Sequence, residues 1–385
     1  MNTSAMEAFS NEYDAILIGG GLAGLSLSIV LADKGHRVLL IEKEHYPFHK
    51  VCGEYISHES RPFLQRLGLQ PSELGSPCIN KLLVTAPGGQ MLRAPLPLGG
   101  FGLSRYLADA TLMQLACDAG VDVREGLRAE EITTDGESPC VRTRVGKAYG
   151  RVVAGCFGKR SNIDVRWKRQ FTQDRPGKLN NWIAVKYHVK YNQPGDIIAL
   201  HNFKNGYCGI SKVEGEQYCL CYLTTAKNLN DHDNSIHGME EKLLCRNPIL
   251  NDIFKNADFV RHEPLVISHI SFEKKLPVEQ HVLMVGDAAG MITPLCGNGM
   301  SMAIHAASLA AIQIDLFLQK KISRLQMETQ YTHDWNRQFG RRIRTGQQLQ
   351  RLFGNPFITG AVLSLLKPFP VVVQRMIRAT HGQPF

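Results

Sequence analysis

The run Asp14-Ala15-Ile16-Leu17-Ile18, followed at once by Gly19-Gly20-Gly21-Leu22-Ala23-Gly24, constrains this chain more than any other stretch. A short apolar run without polar alternation is a strand buried on both faces, the kind found in parallel sheets. The glycines spell GxGxxG, and apolar residues at helical spacing continue to Leu31. Gly19 permits a sharp turn, Gly21 lets the backbone approach a pyrophosphate, and Gly24 lets helix and strand pack closely. The start of the helix offers free N–H groups and the positive end of its dipole to phosphate. After Gly35-His36 a second strand, Arg37 to Ile41, ends in Glu42, an acid placed to hold a ribose hydroxyl pair. The unit has the length of a dinucleotide-binding βαβ, about thirty residues.

The remaining composition narrows the class. At 385 residues the chain exceeds one ordinary core and calls for two or more domains. With 44% apolar and 21% charged residues it is neither disordered, collagenous nor a coiled coil. The first residues hold no basic segment followed by an apolar one, so no secretory signal is read. The longest apolar stretch, Ala15 to Ala32, is interrupted by glycines and serines and makes a poor membrane span. The expectation is a cytoplasmic protein, soluble or at most membrane-peripheral. Ten cysteines then read as thiols of a reducing compartment. None has zinc-site spacing, and Cys219-x-Cys221 lies in an apolar strand pattern, so no metal is expected. The net charge of +9 is uneven: from Tyr331 to Phe385 eight basic residues face one acid, Asp334. Such a tail is a solvated helix face or a peripheral contact for anionic lipid. No nucleic-acid motif accompanies it.

A second motif lies far downstream. An apolar strand, Val282 to Val285, runs into Gly286-Asp287-Ala288-Ala289-Gly290, then Pro294-Leu295-Cys296-Gly297-Asn298-Gly299 and a small-residue helix to Ala311. Between the two motifs stands Leu103-Ser104-Arg105-Tyr106-Leu107-Ala108-Asp109. With these three elements in this order the chain resembles the flavoprotein superfamily of para-hydroxybenzoate hydroxylase and geranylgeranyl reductase. The resemblance implies FAD, with Asp287 on a ribityl hydroxyl, the Pro294, Gly297, Asn298 and Gly299 loop beside the flavin ring, and Arg105 near the pyrophosphate. A helix starting near Asn298 points its dipole at the ring edge that gains negative charge on reduction. The same resemblance brings a Cys-Gly pair, here Cys52-Gly53, along the flavin, so Cys52, Glu54 and Cys296 become candidate catalytic acids. His49 and His58 are further acid–base candidates by position.

Two departures shape the functional expectation. Hydroxylases of this group carry an Asp-Gly pair where this chain has Phe157-Gly158, which argues against their usual NAD(P)H encounter and leaves the reductant open. Geranylgeranyl reductases carry Tyr-x-Trp-x-Phe-Pro, of which only Tyr207 remains in Tyr207-Cys208-Gly209-Ile210-Ser211-Lys212. The fold expected is α/β: a Rossmann-type, GR2-like FAD-binding domain from 12–77, 99–160 and 275–320, an inserted antiparallel β-sheet substrate domain from 78–98 and 161–274, and a helical C-terminal region, 321–385. The expected function is an FAD-dependent oxidoreductase acting on a hydrophobic small molecule such as an isoprenoid, lipid or polyketide. Double-bond reduction by flavin N5 hydride leads. The alternative is a monooxygenase working through a C4a-hydroperoxide. A halogenase is disfavoured because Trp167, Trp182 and Trp335 stand alone, and a flavin-free prenyl-binding escort protein because the glycine turn, Glu42 and Asp287 are intact.

Overall fold

The computed structural model describes residues 9, 12–134, 138–173, 180–352 and 355–385. The strand Tyr13–Ile18 lies at the centre of the first sheet, parallel to Val38–Ile41 on one side and to Gly146–Gly155 on the other. Asp122–Arg124 and Val282–Met284 extend this parallel set outward, and a short antiparallel strand, Val278–Glu279, closes one edge. The residues Ala15, Ile16, Leu17, Leu39 and Leu40 are fully buried, as strands covered on both faces must be. The helix Leu22–Asp33 follows the glycine turn and is apolar nearly all round. It therefore packs on every side, between the helices Arg105–Asp118 and Gly299–Leu318.

The second sheet runs Asp258–Phe259, Trp182–Lys190, Tyr218–Thr225, Gly206–Lys212, Ile197–Phe203, Cys78–Thr85, Met91–Gly102 and Tyr55–Ser57, with Leu265–Ile270 also paired to Trp182–Lys190. Cys78–Thr85 and Met91–Gly102 form a hairpin across Pro87-Gly88-Gly89-Gln90. The sheet as a whole is mixed rather than antiparallel, because Ile197–Phe203 pairs in parallel with Cys78–Thr85. Strands far apart in the chain carry no local turn to dictate direction, so periodicity could not reveal this pairing.

The C-terminal region is helical, as expected. A long helix, Arg324–Leu352, packs along Gly299–Leu318. Two shorter ones, Pro356–Leu366 and Pro370–Thr380, meet at a 116° bend and lie on Met91–Gly102. Pro368 and Pro370 account for the break, since a proline within a helix removes a donor and clashes with the preceding turn. Gly299–Leu318 is long and apolar enough to cross a membrane, but two-thirds of it is buried in the protein as a core helix. All ten cysteines are free thiols.

Candidate functional site

One cavity of about 710 Å³ runs from the glycine turn to the second sheet, a size usual for small-molecule and cofactor sites. Most of the residues singled out in the sequence meet on its walls: Gly19, Gly21, Glu42, Arg105, Asp287, Pro294, Gly297, Asn298 and Gly299, together with Cys52 and Glu54.

At one end the wall is backbone. Gly19 has φ of +106°, and a Cβ there would sit 2.5 Å from the Cys156 carbonyl oxygen. A Cβ on Gly24 would lie 2.0 Å from the Gly19 carbonyl oxygen, so Gly24 serves close packing and stays off the cavity wall. Gly21 differs, because a Cβ there would meet only the ends of Arg105 and Lys50, 3.3 and 3.8 Å away. The helix it opens has no side-chain cap, so its first N–H groups face the cavity beside two cations. Glu42 closes this end, its carboxylate accepting from the backbone N–H of Gly20 at 2.7 Å and of Glu44 at 3.0 Å.

Arg105 is held from two directions. Its guanidinium donates twice to Asp109 at 2.8 Å, and its backbone N–H donates to Glu54 at 2.7 Å. Lys50 joins the same carboxylate, 2.9 Å from Asp109. Burial opposes the charge of Asp109, but Arg105 and Lys50 outweigh it and hold the carboxyl below its usual range. Asp109 was not foreseen as a site residue, although its i,i+4 spacing from Arg105 on one helix was a signal.

The loop 286–288 is fixed by cations. Gly286, at φ of +70°, brings this loop against Ala23 and Ala303. Lys275 donates to the carbonyls of Lys159 and Asp287, both at 2.8 Å, and burial pushes its pKa down to about 8. Arg169, 2% exposed, donates to the Ala288 carbonyl and pairs with Asp164. The Asp287 side chain is thereby presented to the cavity on a clamped backbone. No sequence signal tied Lys275 or Arg169 to this role.

The segment 50–54 forms the opposite wall, and four consecutive carbonyls in it are each taken by a side chain from elsewhere. Lys186 binds Lys50 O at 3.1 Å, Lys159 binds Val51 O at 3.1 Å, Cys219 binds Cys52 O at 3.2 Å, and Ser211 binds Gly53 O at 3.3 Å. Glu54 follows at φ of +56° with no exposed surface. Its carboxylate accepts from Lys186 at 2.5 Å and from His188 at 2.6 Å, besides the Arg105 N–H. Burial raises its pKa, yet Lys186 and His188 prevail and bring it down to about 2. A carboxylate with three donors, one of them a buried ammonium, is not a proton donor, and the expectation of Glu54 as a catalytic acid is corrected on that ground. Cys219 stands with Glu54 and His188 in a group whose polar atoms all lie within 4.8 Å, and there the Lys186 ammonium supplies the counter-charge.

The two candidate thiols part company. Cys52 lines the cavity, whereas Cys296, 8% exposed, turns its sulfur toward Thr293 Oγ1 at 3.5 Å and toward Gly346. Burial pushes the Cys296 thiol up to about 11. Of the two candidate thiols, then, only Cys52 is on the cavity wall, and Cys296 packs beside Thr293 and Gly346. His49 lines the cavity, stacked on Tyr106 at 4.6 Å, and burial lowers its pKa to about 4. His58 and His305 lie outside the cavity wall, the latter stacked on Phe385 at 3.8 Å.

Beyond Cys52 the wall turns apolar. Ala184, Leu200, Leu223, Ile267 and Met291 line it, and with them Tyr207, whose hydroxyl is buried without a hydrogen-bond partner of good geometry near the Leu295 carbonyl. Burial holds that phenol far above its ordinary pKa. Phe157 and Gly158 also line the cavity.

The residues present fit FAD. A cradle at Gly21 that a side chain would fill lies beside Arg105 and Lys50, an acid stands at the ribose end, and the uncapped start of Gly299–Leu318 faces the same cavity.

Comparison with known proteins agrees. A family model described as FAD binding domain matches residues 12–336. The chain is 25% identical over 394 residues to conditioned medium factor receptor 1 of Dictyostelium discoideum, covering 94% of this chain and 75% of that protein. It is 23% identical over 361 residues to digeranylgeranylglycerophospholipid reductase 1 of Methanococcoides burtonii, covering 86% and 82%. Among solved structures, flavin-dependent brominase Bmp2 superposes with a TM-score of 0.76 at 18% identity, covering 96% of this chain and 93% of that one. A geranylgeranyl bacteriochlorophyll reductase-like protein of Thermoplasma acidophilum superposes at 0.71 and 17% identity, covering 97% and 92%.

Proposed function

We propose that this chain, which belongs to the FAD binding domain family and is an FAD-dependent oxidoreductase, reduces carbon–carbon double bonds in an isoprenoid lipid. The observation that carries the reading is the continuity of one cavity from the glycine cradle to an apolar wall of the second sheet. Held at Gly21, Glu42, Arg105 and Asp287, FAD supplies a hydride equivalent when reduced. The chain's own residues supply the rest. Ala184, Leu200, Leu223, Ile267 and Met291 exclude water and seat a hydrocarbon chain. The Cys52 thiol or the Tyr207 phenol holds the proton that the second carbon requires. The names of the digeranylgeranylglycerophospholipid reductases support the choice of lipid, and the loss of two of three motif aromatics beside Tyr207 leaves room for a different chain.

The test is anaerobic mixing of dithionite-reduced holoprotein with detergent-dispersed digeranylgeranylglycerophospholipid, followed by mass spectrometry for two added hydrogens per double bond. Cys52→Ser or Tyr207→Phe should keep FAD and lose turnover by about 10² to 10⁴ fold, the usual worth of a general acid. Cys296→Ser should turn over as the parent does. A product that forms only with O2 and carries an oxygen atom from it would replace this reading with oxygenation.

A further inference from the structure

The C-terminal helix pair leaves an apolar face uncovered. Among the described residues fifteen large apolar side chains are exposed, and six of them, Phe357, Ile358, Leu365, Phe369, Val371 and Val372, crowd into sixteen positions. Such clustering differs from the scattered apolar side chains of an ordinary surface. The helix Pro356–Leu366 divides by periodicity: Thr359, Gly360 and Leu363 face inward, while Phe357, Ala361 and Leu365, four residues apart, face out. Phe357 is 89% exposed and Leu365 68%. At the 116° bend Phe369, Val371 and Val372 make an apolar corner. Exposed Lys367, Arg375 and Arg378 flank that corner, and no acidic residue follows Asp334.

We propose that this corner, residues 357–378, docks on an anionic lipid bilayer. Apolar side chains at a helix corner with cations beside them match the boundary between acyl chains and charged headgroups. Charge favours a bilayer over a two-fold pairing of this corner with itself. An isologous pairing would set Lys367, Arg375 and Arg378 against the same cations and offer no acid to meet them.

The inward face adds a second consequence, which rests on the reading of the substrate as a lipid. Leu363 and Val373 share one apolar cluster with Ala184, Leu200, Tyr207, Leu223 and Met291, and these last five line the cavity. The inward side chains of the helix pair thus belong to the apolar cluster that walls the site. Bilayer docking brings that wall to the place where a lipid substrate resides.

The experiment is flotation of the FAD-loaded protein with vesicles of phosphatidylcholine and phosphatidylglycerol at 3:1, against pure phosphatidylcholine. Binding should favour the anionic vesicles and weaken with salt. Replacing all three cations, Lys367→Gln with Arg375→Gln and Arg378→Gln, should cut partitioning about fivefold per charge, more than a hundredfold together. Leu365→Ser with Phe369→Ser should cut it at least tenfold, because two buried apolar side chains are lost. Both variants change exposed side chains and should keep FAD content and melting temperature. The proposal is overturned if the parent does not float, if either variant floats as well as the parent, or if Phe369→Ser instead dissociates a dimer seen in sedimentation. Turnover of detergent-dispersed lipid does not depend on docking, so failure there would remove the reaction, while flotation tests the surface separately.

Discussion

The two ends of the cavity are built on opposite principles. At the phosphate end the wall is made by side chains that are missing: Gly19 and Gly21 leave room, and backbone N–H groups face it. At the substrate end the wall is made by side chains that are present, and the segment 50–54 owes its shape to Lys159, Lys186, Ser211 and Cys219, which bind its carbonyls one by one. A backbone site is specified within about thirty residues of chain. A side-chain site is specified only when distant strands arrive.

That contrast predicts different responses to substitution. The largest effect should come from Glu54→Ala, which leaves the Lys186 ammonium buried without its counter-ion. Removing one partner of a buried pair costs about 3 to 5 kcal/mol, to be read as a lower denaturation midpoint in urea, while Glu54→Gln should recover part of it. A parent-like midpoint for Glu54→Ala would show that the cluster does not hold the wall.

Acid should act next, through histidines that burial keeps neutral. His201, 1% exposed beside Thr85, has its pKa lowered to about 4 by burial. The unfolded chain binds this proton more readily, so the associated stability is complete above the ordinary histidine pKa and is lost as pH falls from about 6.5 to about 4. It amounts to about 3 kcal/mol. Glu54, lowered to about 2, follows the same sign, its contribution present above the ordinary carboxylate range and lost below it. Urea titrations at pH 7, 5 and 4 should show the first loss in the parent and a shallower one in His201→Gln. A flat profile over that range would contradict the burial assignment.

Asp287→Ala should weaken FAD retention by about 1.5 to 3 kcal/mol, the value of a hydrogen bond to a charged group, measured as flavin released on dilution. The smallest effect on folding should be that of Gly21→Val. Gly21 has extended backbone that valine accepts, and its Cβ would meet only the ends of Arg105 and Lys50, 3.3 and 3.8 Å away, and no backbone. Unfolding of the apoprotein should shift by about 1 kcal/mol or less, within the range of well-tolerated substitutions, yet the purified variant should be colourless. A yellow Gly21→Val would sever the glycine turn from the phosphate site.

The dinucleotide half was legible in the chain alone. Buried-strand runs and the GxGxxG turn are short-range signals, because backbone conformation and helix start are decided by neighbours in the chain, whereas Arg105 and Gly286-Asp287 came to notice only through resemblance to a family. Legible too were the helical character of the residues beyond 321 and their basic charge. Packing settled which candidates meet. It left Cys296 off the cavity wall and kept Cys52 on it, converted Glu54 from a supposed proton donor into a neutralised anchor, and supplied Asp109, Lys186, His188 and Lys275 as unforeseen partners of the site. Glu54 and Lys186 are 132 residues apart in the chain, a separation at which periodicity and propensity carry no information, and only the arrival of distant strands could bring the carboxylate and the ammonium together.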